Sequence, residues 1–490
     1  MEKSPSGTHE EAILSGEEEA LSAEVAEATS EMEPRAMPGM SFAWRALRHR
    51  NFRLFFGGQT ISLIGTWMTR VATGWLVYRL TGSALLLGTV SFAGQIPTFL
   101  LAPFAGVWVD RLDRRQVLLW TQALSMVQSL ALAAMTLSGT ITIHWLLALS
   151  VMQGMINAFD MPGRQSFMVK MVDDRRDLQN AIAINSSMVN MARLVGPSLA
   201  GMLIAVSSEG WCFLIDGISY MAVIASLVMM RLHEPVVKRA PSSTLSELKA
   251  GWTYVSEFVP IRTILLLFAV LSLMGMPFVV LMPIFAARVL HGGPHTLGFL
   301  MGAMGLGALI SALSLAARKT VLGLVTMIPI SAAVFGVGLI GFGLSHVFWL
   351  SMVMVLVAGM GMMQGMAASN TVIQTIVTED KRGRVMSYYT MAFMGMAPFG
   401  SLLAGTMAHR GLTPFAAPLG AAMAHIHMAP LGNLVERLMA QAVGAPWTVT
   451  MNGTVVLAAA AWFWSRLPAV RRVIRPIYRE MGILPAKRGA

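Results

Sequence analysis

Four ionisable side chains, Arg70, Asp160, Arg193 and Asp216, stand inside long apolar runs. A charge held at the centre of a bilayer costs about 2.5–3.5 kcal/mol or more unless it is paired or wet. The chemistry open to such groups is that of the proton. A buried carboxylate can take a proton on one face of a membrane and release it on the other. Asp216 is the first candidate for this role and Asp160 the second. Arg70 or Arg193 would pair with Asp216 if they share its depth, and a purely structural ion pair is the competing reading. Asp160, with Arg164 one turn later, reads instead as part of a charged gate. The sequence holds no phosphate loop of the GxxxxGK[ST] type and no nucleophile–base constellation. His425 and His427 lack an acidic or cysteine partner for a metal. The reading is therefore of a non-enzyme without cofactor or metal.

Composition defines the elements that must carry these groups. The chain has 490 residues, of which 55% are hydrophobic and 12% charged, with mean hydropathy +0.63. Soluble chains carry about 25% charged residues, so this is a membrane protein. Its single cysteine, Cys212, excludes an intrachain disulfide framework. A helix needs about 20 apolar residues to cross the hydrocarbon core. Twelve segments qualify: 53–79, 83–109, 116–138, 143–170, 179–206, 210–231, 262–289, 296–317, 322–345, 347–377, 385–410 and 446–467. Residues 1–40 contain ten glutamates and no long apolar run, which reads as a disordered acidic tail.

Lysine and arginine then orient the segments. With the N-terminus inside, 30 of the 36 Lys and Arg fall on the cytoplasmic side, four fall outside, and Arg70 and Arg193 lie within segments. By the positive-inside rule both termini are cytoplasmic. These charges are divided among short loops, unlike a nucleic-acid patch. The stretch 232–261 divides the twelve segments into 41–231 and 262–467, and its part 243–258 has the spacing of an amphipathic surface helix. The basic tail 468–490 includes a similar helix, at 468–484, expected to lie on anionic headgroups. Residues 411–445 form an extended outer loop. Weak internal similarity supports the division. "MVDDRRDLQN" (171–180) parallels "IVTEDKRGRV" (376–385), and "GPSLAG" (196–201) parallels "APFGSLLAG" (397–405).

The loop between the second and third segments carries Gly106, Asp110, Arg111, Asp113, Arg114 and Arg115. This pattern resembles the loop signature of the major facilitator superfamily. With "NAFDMPGRQSF" (157–167) and "QTIVTEDKRGRVMS" (374–387), the chain is similar to the branch containing the enterobactin exporter and related secretion effectors. Asp113 departs from the usual glycine, and Ser150 replaces an arginine of the family's fourth helix. The resemblance implies an all-α membrane fold of twelve helices in two six-helix bundles, which rock about a midplane site. It also implies that the loop locks the halves together. Asp110 would face the start of the eleventh segment, near Arg384 and Val385, while Arg164, Asp173, Asp174, Arg382 and Arg384 complete the cytoplasmic gate. Arg193, Gly196, Pro197 and Gly201 resemble the antiporter motif of exporting members, although Ala192 and Ala200 replace two of its glycines.

Polar and aromatic candidates for a substrate cavity are Gln59, Trp67, Gln95, Asn157, Asn185, Asn190, Gln364, Asn370 and Tyr388. The 40 methionines suit adaptable apolar contact, as well as ordinary packing. The expected function is export of a small apolar or amphipathic compound, siderophore- or drug-like, by proton antiport from a monomer in a bacterial-type inner membrane. The partners are thus substrate, protons and lipid, with no nucleic acid. An importer or lysolipid carrier of the same fold, and a non-transporting receptor or scaffold, stay open.

Overall fold

The computed structural model describes residues 45–168, 171–172, 177–231, 252–318, 320–410 and 444–484. The acidic tail 1–40, the loop 411–443 with its two histidines, residues 232–251 and the last six residues lie outside the described residues. The rest is nearly all helix. After a short 3-10 turn (Arg45–Arg48) come α1 (Arg50–Thr81), α2 (Ala84–Arg111), α3 (Arg114–Leu137), α4 (Ile143–Met168), α5 (Leu178–Val206) and α6 (Glu209–Met229). The second series is α7 (Val259–Val289), α8 (Pro294–Ala316), α9 (Leu324–Leu344), α10 (Phe348–Ile376), α11 in two pieces and α12 (Ala445–Glu480). The pieces of α11 are α11a (Glu379–Met394) and α11b (Ala397–Arg410). Ten helical spans among the described residues are long and apolar enough to cross a membrane. Helices α1 and α4 match them in length, but their charged and polar side chains lower their hydropathy.

Local sequence sets the joints. Gly82, at φ +60°, ends α1 in the left-handed conformation and returns its N–H to the Tyr78 carbonyl. Ser83 then caps α2. Two turns of π-helix, Leu271–Gly275 and Phe285–Val289, interrupt α7 beside Pro277 and Pro283. Proline removes a backbone donor and displaces the preceding turn, and the widened turns absorb the misfit.

Two expected boundaries change. The eleventh segment, read as one run at 385–410, begins at Glu379 and breaks at Gly395–Met396, just before Pro398. The tail 468–484 is not a separate surface helix: α12 continues without a break through Pro468 and Pro476 to Glu480. Leu467, Val470, Ile474 and Tyr478 prolong its buried stripe into the core of the second half. That apolar stripe outweighs the two backbone hydrogen bonds the prolines remove.

Glycine brings the two halves together. A Cβ on Gly201 of α5 would lie 2.8 Å from the Gly298 Cα of α8, and one on Gly88 of α2 would lie 3.0 Å from the Gly405 Cα of α11b. Backbones this close need small residues on both sides. Both crossings lie at the end of the bundle where α1, α5 and α7 finish and α2 and α8 begin. The α2–α11 contact runs from there to Phe99, against Gly395, with Phe399 edge-on to Phe92 and Phe99. Arg288, at the end of α7, adds a polar tie, donating to the Tyr78 hydroxyl (3.3 Å) and the Gly82 carbonyl (3.2 Å).

Candidate functional site

Helix α1 separates the buried charges into two groups. Along it, Trp67, Arg70, Gly74 and Tyr78 fall within one stripe at 100° per residue. That stripe looks at the second half, because Gly74 meets Pro283 and Tyr78 meets Arg288. Gly65 lies on the opposite side, against α6, and Thr69 and Thr66 run round from it toward Arg70, which is one turn after Thr66. There Asp216, only 1% exposed, accepts hydrogen bonds from Ser129 (2.8 Å), Thr69 (2.9 Å) and Thr66 (3.5 Å). Gly65 makes this possible, since a Cβ there would lie 2.9 Å from the Asp216 Cα. Asp216 is therefore held by hydroxyls rather than by a direct ion pair with Arg70 or Arg193. Its charge is still felt by Arg70.

On the front of α1 the side chains are cationic and aromatic. The Arg70 guanidinium lies 4.5 Å from the centre of the Trp67 ring, and that of Arg193 5.3 Å from it. Gly196 of α5 admits the indole, because a Cβ there would come within 2.6 Å of the Trp67 Cβ. Arg70 is exposed although it sits in mid-helix. The buried Arg193 Nε has no hydrogen-bond partner. The α5 motif thus divides its work: Gly196 seats Trp67, Gly201 seats α8, and Pro197 presents its carbonyl to Gly298.

Asp160, also buried, accepts from Thr121 (3.0 Å), Gln122 (2.7 Å) and Arg164 one turn on. This network ties α4 to α3 within the first half. In the α2–α3 loop, Asp113 caps α3, accepting from the Arg115 N–H (2.9 Å) and the Gln116 N–H (3.4 Å), an arrangement worth about 1 kcal/mol. Arg115 donates to the last carbonyls of α6, Leu227 (2.9 Å) and Val228 (2.8 Å), and Arg114 begins α3. Gly106 lies in α2, but the side chains of Asp110 and Arg111, like residues Asp173 and Asp174, lie outside the described residues.

The partner expected for Asp110 moves. Because α11a starts at Glu379, Arg384 and Val385 sit in its second turn, not at its N-terminus. The first turn already carries Glu379 and Asp380, which suit the positive end of the helix dipole and would repel a further acid. Arg382, in the same first turn, has a buried Nε without an acceptor.

The polar cavity candidates scatter. Gln95 bonds Ser91, whose hydroxyl reaches Ser401 across the halves at 3.2 Å. Asn157 accepts from Gln153, Asn370 from Gln374, and Asn190 donates back along its own helix. Gln59 is buried, while Asn185 and Gln364 are partly buried. Tyr388 packs at 5.9 Å from Trp252, in the helical turn at 252–257 that precedes α7. Of the nine candidates, Trp67 is the one brought together with the mid-helix arginines.

Two acids escaped the sequence reading. Asp177 takes Arg45 (2.9 Å) and His49 (3.0 Å), fastening the start of α1 to α5. Glu209, 2% exposed, receives Arg79 through both carboxylate oxygens (2.8 and 3.1 Å), joining the end of α1 to the start of α6. The signal for both was their place at helix beginnings, where acids are favoured.

Comparison with known proteins agrees with this architecture. The chain is 27% identical over 353 residues to the staphyloferrin A transporter of Staphylococcus aureus, covering 72% of this chain and 88% of that one. It is 26% identical over 352 residues to the multidrug efflux pump Tap of Mycolicibacterium fortuitum, covering 70% and 85%. A bacterial homologue of the human lysosomal transporter Spinster, solved inward-facing and unoccupied, superposes with TM-score 0.60 at 15% identity, covering 89% of this chain and 99% of that one. The family model for transmembrane secretion effectors matches residues 41–440. With two helical series joined at glycine crossings and charge held between them, the chain belongs to the transmembrane secretion effector family of major facilitator transporters.

Proposed function

We propose that this transporter exports a small amphipathic compound from the cytoplasm in exchange for protons. The observation that carries the reading is a buried Asp216, held by three hydroxyls and lying beside Arg70 without bonding to it. A proton taken up by the Asp216 carboxylate removes the negative charge that attracts Arg70. Arg70, already on the side of α1 that looks at the second half, is then left without its nearest counter-charge, and release of the proton restores it. Tyr220 and Cys212 are the other titratable neighbours within reach of Asp216, and neither bonds to it directly. Asp160, tied to Arg164, is the second candidate. The relatives named for siderophore transport and drug efflux support the export of siderophore- or drug-like molecules.

Orientation follows from the arginine census. With the basic end in the cytoplasm, the glycine crossings seal the outer end, so the conformation is open inward. Closure of the inner end would bring Asp110 to Arg382.

Substrate flux into everted membrane vesicles, with and without an imposed pH gradient, tests the reading. Gradient-driven uptake is expected for the wild type, and Asp216→Asn should lower it at least about tenfold while leaving the protein inserted and monodisperse. The asparagine oxygen can still accept two hydroxyls, so the fold loses about 1–3 kcal/mol at most. Uptake that ignores the gradient would remove proton antiport.

A further inference from the structure

Arg70 and Arg193 place two positive charges beside one indole at mid-membrane, and among the described residues no carboxylate comes within 4.0 Å of either. Asp216, the nearest acid, lies beside Arg70 between α1 and α6 but is occupied by three hydroxyls. Two guanidiniums at this depth, with one carboxylate near and none in contact, are costly, and a buried Arg193 N–H without an acceptor adds to that cost. Both groups border the face of α1 that looks at the second half, and Arg70 is not covered by other side chains.

We propose that the missing counter-charge is the ligand's: Arg70, Arg193 and Trp67 form a site for an amphipathic organic anion, its carboxylate on the guanidiniums and its apolar body against the indole. Planar guanidiniums bind a carboxylate through two parallel hydrogen bonds, a geometry that lysine does not offer. The Trp67 ring, 4.5 and 5.3 Å from the two guanidinium carbons, holds both cations beside one apolar surface. Gly196 belongs to the site because it lets the indole sit against α5. The assignment rests on the transporter reading for the route to the site, but not on the direction of transport.

The test uses two dyes with one ring system and opposite charge, the anion fluorescein and the cation rhodamine 6G. Binding to the full chain in nanodiscs is read by fluorescence anisotropy, and passage by flux in proteoliposomes. Fluorescein is expected to bind the wild type at least about tenfold more tightly than Arg70→Gln or Arg193→Gln. Arg70→Lys should fall between, and Trp67→Ala should weaken fluorescein several-fold. Rhodamine 6G should bind the glutamine variants as well as, or better than, the wild type. Size-exclusion profiles and melting temperatures select variants that fold, and the lysine variant serves where a glutamine variant does not. Absence of fluorescein binding to the wild type, or binding within twofold in all arginine variants, overturns the anion site. Failure of both dyes to cross, with arginine-dependent binding intact, would instead count against the transport reading alone.

Discussion

The two ends of the molecule are fastened in different ways. At the end where α1 and α5 finish, the halves hold each other: Gly201 on Gly298, Gly88 on Gly405, and Arg288 on Tyr78 and Gly82. At the arginine-rich end, the bonds seen brace each half within itself. Asp177 holds Arg45 and His49, Arg115 caps α6, Lys381 lies over Tyr254, and Arg471 donates to Thr326 of α9 at 2.9 Å. The seam where α1 and α5 finish is mainly backbone against backbone, so it depends on shape more than on charge. The arginine-rich end is charged, and the bonds described there lie within one half or the other. A closure made of glycine and a closure made of charge respond to different perturbations, which makes the two ends separable by experiment.

The largest effect is expected from the seam. Gly201→Leu or Gly88→Leu would drive a side chain into opposing backbone and prevent the outer end from closing. Transport should fall by more than about tenfold, and paired spin labels across the outer ends of α5 and α8 should report longer distances. Unchanged distances would show that the seam is not the closure. Next comes Asp110→Asn, which removes the proposed partner of Arg382. Flux should drop several-fold, with label distances at the inner end shifted toward the open state and those at the outer end unchanged. Arg115→Gln tests self-bracing instead. It leaves the α6 carbonyls uncapped, so thermal stability should fall by about 1–3 kcal/mol, measured by melting in detergent, with little change in the distribution between states. Arg288→Gln is the mildest. An exposed tie of this kind is worth less than about 1 kcal/mol, so a two- to fivefold shift in the open-to-closed ratio is expected.

Much of this scaffold was legible in the sequence, because hydrocarbon demands long apolar helices and leaves few alternatives. The starts of α2, α8 and α10 fall within two residues of their expected positions. Proline misled at the end of α12: Pro468 reads as a stop, but the 467, 470, 474, 478 stripe continues and packs. The break between α11a and α11b had its signal in Gly395 and Pro398, yet an unbroken apolar pattern concealed it. For the site, residue types were readable and pairings were not. Depth alone suggested that Arg70 would meet Asp216. The packing of α6 against Gly65 instead seats Asp216 on the hydroxyls of Thr66, Thr69 and Ser129, beside Arg70 but not bonded to it. Asp113 and Arg115 show a second limit, since a conserved-looking loop pattern does not reveal that two of its charges cap their own neighbours.

The unbroken course of α12 has a mechanical consequence. Its 36 residues make a rod about 54 Å long at 1.5 Å per residue, against a hydrocarbon core of about 30 Å. About 24 Å of it, somewhat under half, therefore projects past the apolar layer, locked to the second half through Val470, Ile474 and Tyr478. The projection is a lever arm. A small rotation of the half, hard to see at the seam where backbones touch, is magnified at Glu480 into a displacement that a single fluorophore can follow. The arginines along the arm would sweep through the headgroup layer as it moves, making the charge of the surrounding lipid a load on the stroke.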